Sequence, residues 1–421
     1  MPLPERSEQC PYGRGCGEMM NPTRILILIL CCLLAACAPA VPPEDPGLRA
    51  VTLRPDQPTD PPSLPAATIP FDLVTVTPAE SYCSQDEVAR ILTHMPAYEP
   101  GSGSFVGLDD RGFVLDGERF VVRGINYYPA EHPWQRFPGT DVNIIEADFA
   151  RLREANINAV RLFLWYEPFF LCPGSGAVPN PRTFLWLDSV IRLASAYGFR
   201  VILVLHDLPD LHTAPMYSEA GDTVAQTAFI VNRYKNEPAL LAWDLRDAGD
   251  ADYTPFSDEP APFTRAQVLD WLARTAAAVR QLDSNHPITA GWVGDSEGTI
   301  SAVDFVSFQH TGDVHSLRER IAALRGYTQK PLLLIALGIN TQEVSEIEQS
   351  QRLRESVRAA ESDEVAGWLV WTMYDFPVDV TCYPEPCASF DDARHHFGLW
   401  RADGSRKPAA NTLETLAEQN Y

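Results

Sequence analysis

The chain has 421 residues, with 33 Lys and Arg against 56 Asp and Glu and a formal net charge of −23 at pH 7. That length holds one large barrel of about 250–320 residues plus additional segments. Such acidity excludes nucleic acid as a partner, because a polyanion meets repulsion over the whole surface; it speaks for solubility and names no substrate.

In chain order, Arg24 precedes an apolar run over residues 25–36, the length of a signal-peptide core and short for a bilayer span. The run ends in Leu34-Ala35-Ala36-Cys37, which resembles a bacterial lipobox. The expectation is an exported bacterial lipoprotein, held at the cell envelope or the extracellular face of the membrane by lipid on Cys37; a plain signal peptide or a short anchor is the alternative. Residues 1–19 lack targeting character, which puts the expected start at Met19 or Met20. Residues 1–37 are thus the leader, 38–104 a tether with a short helix, and 105–421 the folded domain. The tether is Pro-rich over 38–70 and reads as stiff and extended. Residues 84–94 read as a short helix with Ser84 as N-cap.

Beyond Cys37, the exported part keeps Cys83, Cys172, Cys382 and Cys387. Four such cysteines suggest two disulfides, with three possible connectivities. The favoured pairing joins Cys382 to Cys387 across a short Pro-containing loop and ties Cys83 to Cys172. No CxxC-type spacing supports a metal, and no cofactor is expected.

From Phe113 onward, strands and helices alternate. Residues 113–115 and 119–122 read as a hairpin around Asp116-Gly117. Barrel strands are expected over 121–126, 159–165 and 200–207, from Leu240, and over 288–292, 305–310, 332–336 and 366–372. Between them fall helices carrying Ile145, Phe149 and Leu152, then over 184–197, 265–282 and 316–324, from Gln342, and finally from about Pro408. Eight strand–helix units imply an α/β fold, a (β/α)₈ TIM barrel with right-handed crossovers. An open doubly wound sheet is disfavoured because no Gly-rich phosphate loop follows the first strand.

The fourth strand carries the strongest signal. Arg233-Tyr234-Lys235-Asn236-Glu237-Pro238-Ala239-Leu240-Leu241-Ala242-Trp243-Asp244-Leu245 is similar to that strand, and its approach, in the cellulase- and mannanase-like glycoside hydrolases of family 5. In that family the strand runs on into Asn-Glu-Pro, whose Glu is the general acid/base; here Asp247-Ala248-Gly249 stands in those places. Lys330-Pro331-Leu332-Leu333-Leu334-Ile335-Ala336-Leu337-Gly338 is similar to the family's Lys-Pro…Glu-Phe-Gly, and its nucleophile position falls on Ala336. The resemblance covers about residues 113–408. Asn236-Glu237-Pro238 spells the catalytic triplet but precedes the strand. At about 3.3 Å per residue, Glu237 lies on the order of 25–35 Å from Ala248, at the amino end of the barrel where residues serve stability.

Retaining glycosidases need two carboxyl groups about 5–5.5 Å apart. A methyl group neither donates a proton nor attacks a sugar carbon, so the resemblance implies a barrel inert by that mechanism. It also implies Arg161 as the strand-two arginine that braces the nucleophile, with pairing inside the barrel as the equal alternative. His206, with Asp207 beside it, ends strand three where the family often has a substrate-contacting histidine. His310 falls one place beyond the family's strand-six histidine, and Trp371 matches its sugar-stacking tryptophan. Tyr127, Tyr128, Trp165 and Tyr374 read as further aromatic walls.

Acids at strand ends are Glu167, Asp207, Asp247, Asp250, Asp313 and Asp375. Asp247, Asp207 and Asp250 are the foremost candidates for relocated catalysis, since an inverting pair stands about 6.5–9.5 Å apart; acids at loop starts also serve as caps. A metal-hydrolase reading from His206, Asp207, His212 and His310 lacks a defined ligand pattern. Three functions follow in order of preference. The first is a surface-anchored pseudo-glycosidase that binds oligo- or polysaccharide in the barrel mouth, or a partner protein. The second is an active glycoside hydrolase on β-linked polysaccharide, and the third a structural envelope lipoprotein.

Overall fold

Residues 83–172, 175–207, 216–217, 223–254, 261, 263–381 and 390–418 are described by the computed structural model of the chain. Cys37, the Pro-rich tether, His212 and the expected Cys382 to Cys387 pair lie outside the described residues.

Ser84 opens the first helix, α1 (Gln85–His94), by a reciprocal cap. Its hydroxyl accepts from the Glu87 N–H at 3.3 Å, and the Glu87 carboxylate accepts from the Ser84 N–H at 2.9 Å. A disulfide joins Cys83 to Cys172 across 89 residues of sequence, the pairing expected for these two. Three short antiparallel strands follow, β1 (Gly107–Asp109), β2 (Gly112–Leu115) and β3 (Glu118–Phe120). Asp116 and Gly117 both take positive φ, which a two-residue hairpin turn with the twist of its strands requires. Phe113 meets Phe305 edge-on at 5.0 Å, so this small sheet covers the amino end of the barrel.

The barrel strands are β4 (Val122–Asn126), β5 (Ala159–Phe163), β8 (Arg200–Val204), β9 (Leu240–Asp244), β10 (Ile288–Thr289), β11 (Val306–His310), β12 (Leu332–Gly338) and β13 (Gly367–Trp371). Between β5 and β8 a small hairpin forms from β6 (Phe170–Leu171) and β7 (Val178–Pro179). All eight barrel strands run parallel in the order β10-β9-β8-β5-β4-β13-β12-β11. A parallel bridge between Trp292 and Phe308 brings the two ends of the ring together. Every residue of β4, β5, β9 and β12 is buried, because the strands carry side chains both into the barrel and out to the helices. This is the predicted (β/α)₈ barrel.

The surrounding helices are α2 (Val142–Glu154), α3 (Tyr166–Phe169), α4 (Pro181–Ala196), α5 (Thr223–Tyr234), α6 (Arg265–Leu282), α7 (Ser296–Thr299), α8 (Val314–Tyr327), α9 (Glu346–Ser362) and α10 (Pro408–Glu418). Ile145, Phe149 and Leu152 bury one stripe of α2, as their spacing predicts. Helix α5 is not among the predicted elements. Its buried face, Thr227, Ile230, Val231 and Tyr234, keeps the i, i+3, i+4, i+7 spacing of a helix, but three of the four are β-branched residues, which lowers its helix propensity.

The second and third barrel strands are shorter than expected. Their ladders stop at Phe163 and Val204, so Trp165, His206 and Asp207 stand on the loops beyond them. At the opposite end Glu237 is buried and accepts from the Tyr98 hydroxyl at 2.7 Å, the Gly101 N–H at 2.7 Å and the Ala239 N–H at 2.8 Å. Burial and that neighbouring carboxylate push the Tyr98 hydroxyl far above its ordinary range. Glu237 is a structural tie at the amino end, as its place before the strand predicts.

Candidate functional site

The floor of the barrel mouth is organised around Arg161 in β5. Its guanidinium is buried, and a buried charge must be paired to persist. Nε and Nη2 donate to Asp244 Oδ2 at 3.0 and 2.6 Å, Nη2 also reaches Asp247 Oδ1 at 2.6 Å, and Nη1 donates to Asn126 Oδ1 at 3.0 Å. Gly291 leaves the room for this pairing, because a Cβ there would stand 2.5 Å from Arg161 Nη2. Arg161 therefore pairs inside the barrel.

Gln309 links the surroundings of the two alanines. Gln309 Nε2 donates to Asp247 Oδ1 at 2.9 Å and to the Gly291 carbonyl at 2.7 Å. The same carbonyl accepts from the Ala248 N–H at 2.9 Å, and Gln309 pairs in register with Ala336. Ala336 is thus the register partner of Gln309, and Ala248 shares with the Gln309 amide the Gly291 carbonyl as acceptor. Ala248 is buried with φ 46° and ψ 39°, a left-handed conformation that costs a non-glycine residue about 1–2 kcal/mol.

Asp207 and Asp247 are held side by side by the backbone. The Asp247 N–H donates to the His206 carbonyl at 3.0 Å. Arg246 Nη1 donates to the Asp207 carbonyl at 2.8 Å and also to the Asp247 carbonyl. Arg246 in turn is gripped by Asp252, at 2.9 and 3.0 Å from Nη2, with Tyr217 beside them. The Tyr128 hydroxyl donates to Asp207 Oδ2 at 2.6 Å.

Asp244 and Asp247 therefore share one guanidinium, that of Arg161, while the Asp207 carboxyl rests on the Tyr128 hydroxyl and feels the Arg246 and Arg161 charges at longer range. Burial, and then the Asp247 charge, push the Asp207 carboxyl up to about 7. Asp247 is also raised, by burial first, while Arg161 opposes the shift. Asp247 touches Arg161 and Asp207 does not, so the ion pair favours the ionised form of Asp247 and burial favours the protonated form of Asp207.

Trp371 is half-buried and stands edge-to-face on Tyr128 at 6.4 Å and on Phe163 at 5.9 Å; the Trp371–Thr372 peptide is cis. Tyr128 stacks on Phe163 at 5.0 Å, and Trp165 Nε1 approaches the Tyr128 hydroxyl at 3.4 Å. The expected platform thus adjoins the tyrosine that holds Asp207.

Several predicted residues point elsewhere. Tyr127 is fully buried against Phe137 and Phe149, its hydroxyl donating to Asp148 of α2 at 2.8 Å. Tyr374 donates to the same carboxylate at 2.5 Å and accepts from Arg151 at 2.8 Å, so neither tyrosine forms a wall of the mouth. The His206 ring bonds Thr227 of α5 at 3.1 Å and packs on Tyr166 at 4.3 Å; burial and the Arg246 charge lower its pKa to about 3, leaving it neutral. It faces the helix layer and not a substrate. His310 is engaged with the Asp313 carbonyl at 2.9 Å.

Asp250 accepts from the Val293, Gly294 and Asp295 N–H groups at 3.1, 2.5 and 3.0 Å and so ties a loop. Asp313 caps α8, Asp375 pairs with Lys407 at 2.8 Å, and Glu167 is exposed. Among the described residues no group of three or more His, Cys, Asp or Glu side chains is arranged to hold a metal. Asn126, Asp244 and Gln309 belong to the floor without having been singled out. Their only sequence signal is a polar residue within or ending an apolar strand.

No family model matches the chain. Over 237 residues it is 25% identical to mannan endo-1,4-beta-mannosidase F of Aspergillus clavatus, covering 47% of this chain and 50% of that protein. Over 254 residues it is 26% identical to mannan endo-1,4-beta-mannosidase 1 of Oryza sativa subsp. japonica, covering 50% and 54%. The chain spans about half the length of the curated relatives it matches. Its fold is similar to that of a GH5_18 protein of Streptomyces cattleya in complex with Manβ1-4GlcNAc, with TM-score 0.59, 17% identity and coverage of 71% of this chain and 80% of that one. The endo-1,4-beta-mannanase of Rhizomucor miehei aligns with TM-score 0.56 and 16% identity over 75% of this chain and 99% of that one.

Proposed function

Taking the chain as a cellulase- and mannanase-like barrel of the glycoside hydrolase family 5 kind, we propose that it binds β-mannoside-containing glycan at its mouth without hydrolysing it by double displacement. The observation that carries this reading is that Ala248 and Ala336 stand at the two positions where the family resemblance calls for carboxylates, each linked to Gln309, Ala336 by strand register and Ala248 by the shared Gly291 carbonyl. Methyl groups supply neither a proton donor nor a nucleophile. The half-buried Trp371 supports retained sugar binding, since an indole face beside a polar floor suits a pyranose ring. Mannan-type glycan is favoured by the similarity to mannan endo-1,4-beta-mannosidases and by the disaccharide held by the Streptomyces cattleya neighbour.

Export and anchoring through lipid on Cys37 complete the proposal and rest on the lipobox-like Leu34-Ala35-Ala36-Cys37. Two measurements test it. Calorimetric titration with manno-, xylo- and gluco-oligosaccharides is expected to show binding strongest for the mannan type, weakened about tenfold or more by Trp371→Ala. Absence of binding to every glycan would overturn the reading, and binding indifferent to Trp371→Ala would remove that residue from the site. Cys37→Ser is expected to move the protein from the membrane to the soluble fraction; a wild type that never incorporates labelled fatty acid would refute the anchor.

A further inference from the structure

The floor beneath Trp371 holds more than the absence of two catalytic groups. Asp207 and Asp247 retain 5% and 6% of their exposure, so they are nearly closed off yet not sealed. Their backbones are locked together through the His206 carbonyl and Arg246, which fixes the two carboxyls as neighbours. They are not equivalent. Asp247 is anchored by Arg161 and by the Gln309 amide, whereas Asp207 has the Tyr128 hydroxyl as its neutral partner. Tyr128 also packs edge-to-face with Trp371 at 6.4 Å, so a single ring separates the indole from the Asp207 carboxyl.

We propose that the carboxyls of Asp207 and Asp247 form the polar floor of the glycan site and bind two vicinal sugar hydroxyls as donor and acceptor, so that ligand is held while the pair shares one proton. The proposal rests on the glycan-binding reading above and assigns how that site is regulated. A β-mannoside offers a cis vicinal diol. The Asp207 carboxylic acid donates to one hydroxyl oxygen, and the Asp247 carboxylate accepts from a hydroxyl hydrogen. No bond of the sugar is made or broken. When Asp207 ionises, the donor is lost and two anions face the ligand.

The charged and titratable groups around Asp207 come from four directions. Tyr128 follows β4, and Arg161 lies on β5 with Asp244 beyond it on β9. Arg246 and Asp247 come from the loop after β9, with Arg246 paired to Asp252 beside Tyr217 while its charge still favours the ionised form of Asp207. His206, its neighbour on the loop after β8, is turned to Thr227 and stays neutral. Among the described residues of this floor the coupled carboxyls of Asp207 and Asp247 are both raised by burial, and Asp207, whose carboxyl lacks a cation in contact, is pushed up to about 7.

Titration of wild type with mannobiose from pH 5.5 to pH 9, followed by tryptophan fluorescence and calorimetry, tests this. The expected dissociation constant is flat below about pH 6 and rises by about tenfold per pH unit above about 7, because the competent fraction falls by that factor. In Asp207→Asn, whose amide cannot ionise, the affinity, whatever its level, is expected to lose this slope. In Tyr128→Phe the midpoint is expected to move to higher pH, because the hydroxyl that stabilises the ionised carboxylate is gone. Near-UV circular dichroism at each pH establishes that the variants are folded. A wild-type affinity constant from pH 6 to pH 9 overturns the proposal while leaving glycan binding intact. So does a slope that persists in Asp207→Asn, or a Tyr128→Phe midpoint that stays in place or falls. Failure to bind mannobiose and longer manno-oligosaccharides at every pH overturns both readings.

Discussion

Asp207→Asn has a consequence that needs no ligand. In the folded protein the carboxyl titrates at about 7 against an ordinary value of 3.8, raised first by burial and then by the Asp247 charge. A carboxyl raised in this way stabilises the fold fully below its ordinary pKa, and that stability is lost as pH rises through 7. At pH 5 the folded state holds the proton while the unfolded chain has largely released it; at pH 8.5 both have released it. With 1.36 kcal/mol per pK unit, the interval corresponds to about 3 kcal/mol at most, and sharing of charge with Asp247 lowers it toward about 2. Asparagine keeps the shape and cannot ionise, so the variant gains on the wild type by that amount between pH 5 and pH 8.5. Urea unfolding of both proteins at several pH values measures the difference directly, and titrating groups that do not interact with Asp207 cancel in the comparison. A stability difference that stays level across this interval would refute the assignment of the proton to Asp207.

Glu237→Ala orphans the Tyr98 hydroxyl and the Gly101 and Ala239 N–H groups, and is expected to cost roughly 2–4 kcal/mol in urea unfolding without altering glycan affinity. Replacing Cys83 and Cys172 together by Ser opens a loop of 89 residues and is expected to lower stability by about 2–4 kcal/mol, a loss that reductant reproduces in the wild type. Ala248→Gly releases the left-handed strain at φ 46° against glycine's greater entropy loss, for a net gain of about 1 kcal/mol or less in the same assay.

The barrel was legible because its strands are apolar on both faces and separated by amphipathic helices. Helix α5 is harder to read because its buried positions, although at helical spacing, are filled by the β-branched Thr227, Ile230 and Val231, which favour strands. The site was legible in position but not in direction. Tyr127 and Tyr128 adjoin in sequence, yet one turns to Asp148 in the helix layer and the other to Asp207 in the mouth. His206 and Asp207 divide likewise, and so do Gln309 and His310. Successive residues leaving a strand alternate sides, so a shift of one place exchanges a core residue for a site residue. Asp244 was invisible for another reason: its partner Arg161 lies 83 residues away, and nothing local marks such a pair.

The proposal that the barrel binds sugar without cleaving it is tested most directly by incubating the purified protein with activated aryl β-mannosides and with manno-oligosaccharides from pH 5 to pH 8. Aryl leaving groups need little acid assistance, so a surviving nucleophile would release a burst of phenol even without a proton donor. The expected result is neither burst nor turnover above the uncatalysed background. Robust turnover that is abolished by Asp207→Asn or Asp247→Asn would contradict the account and make the carboxyl pair of the floor a catalytic one.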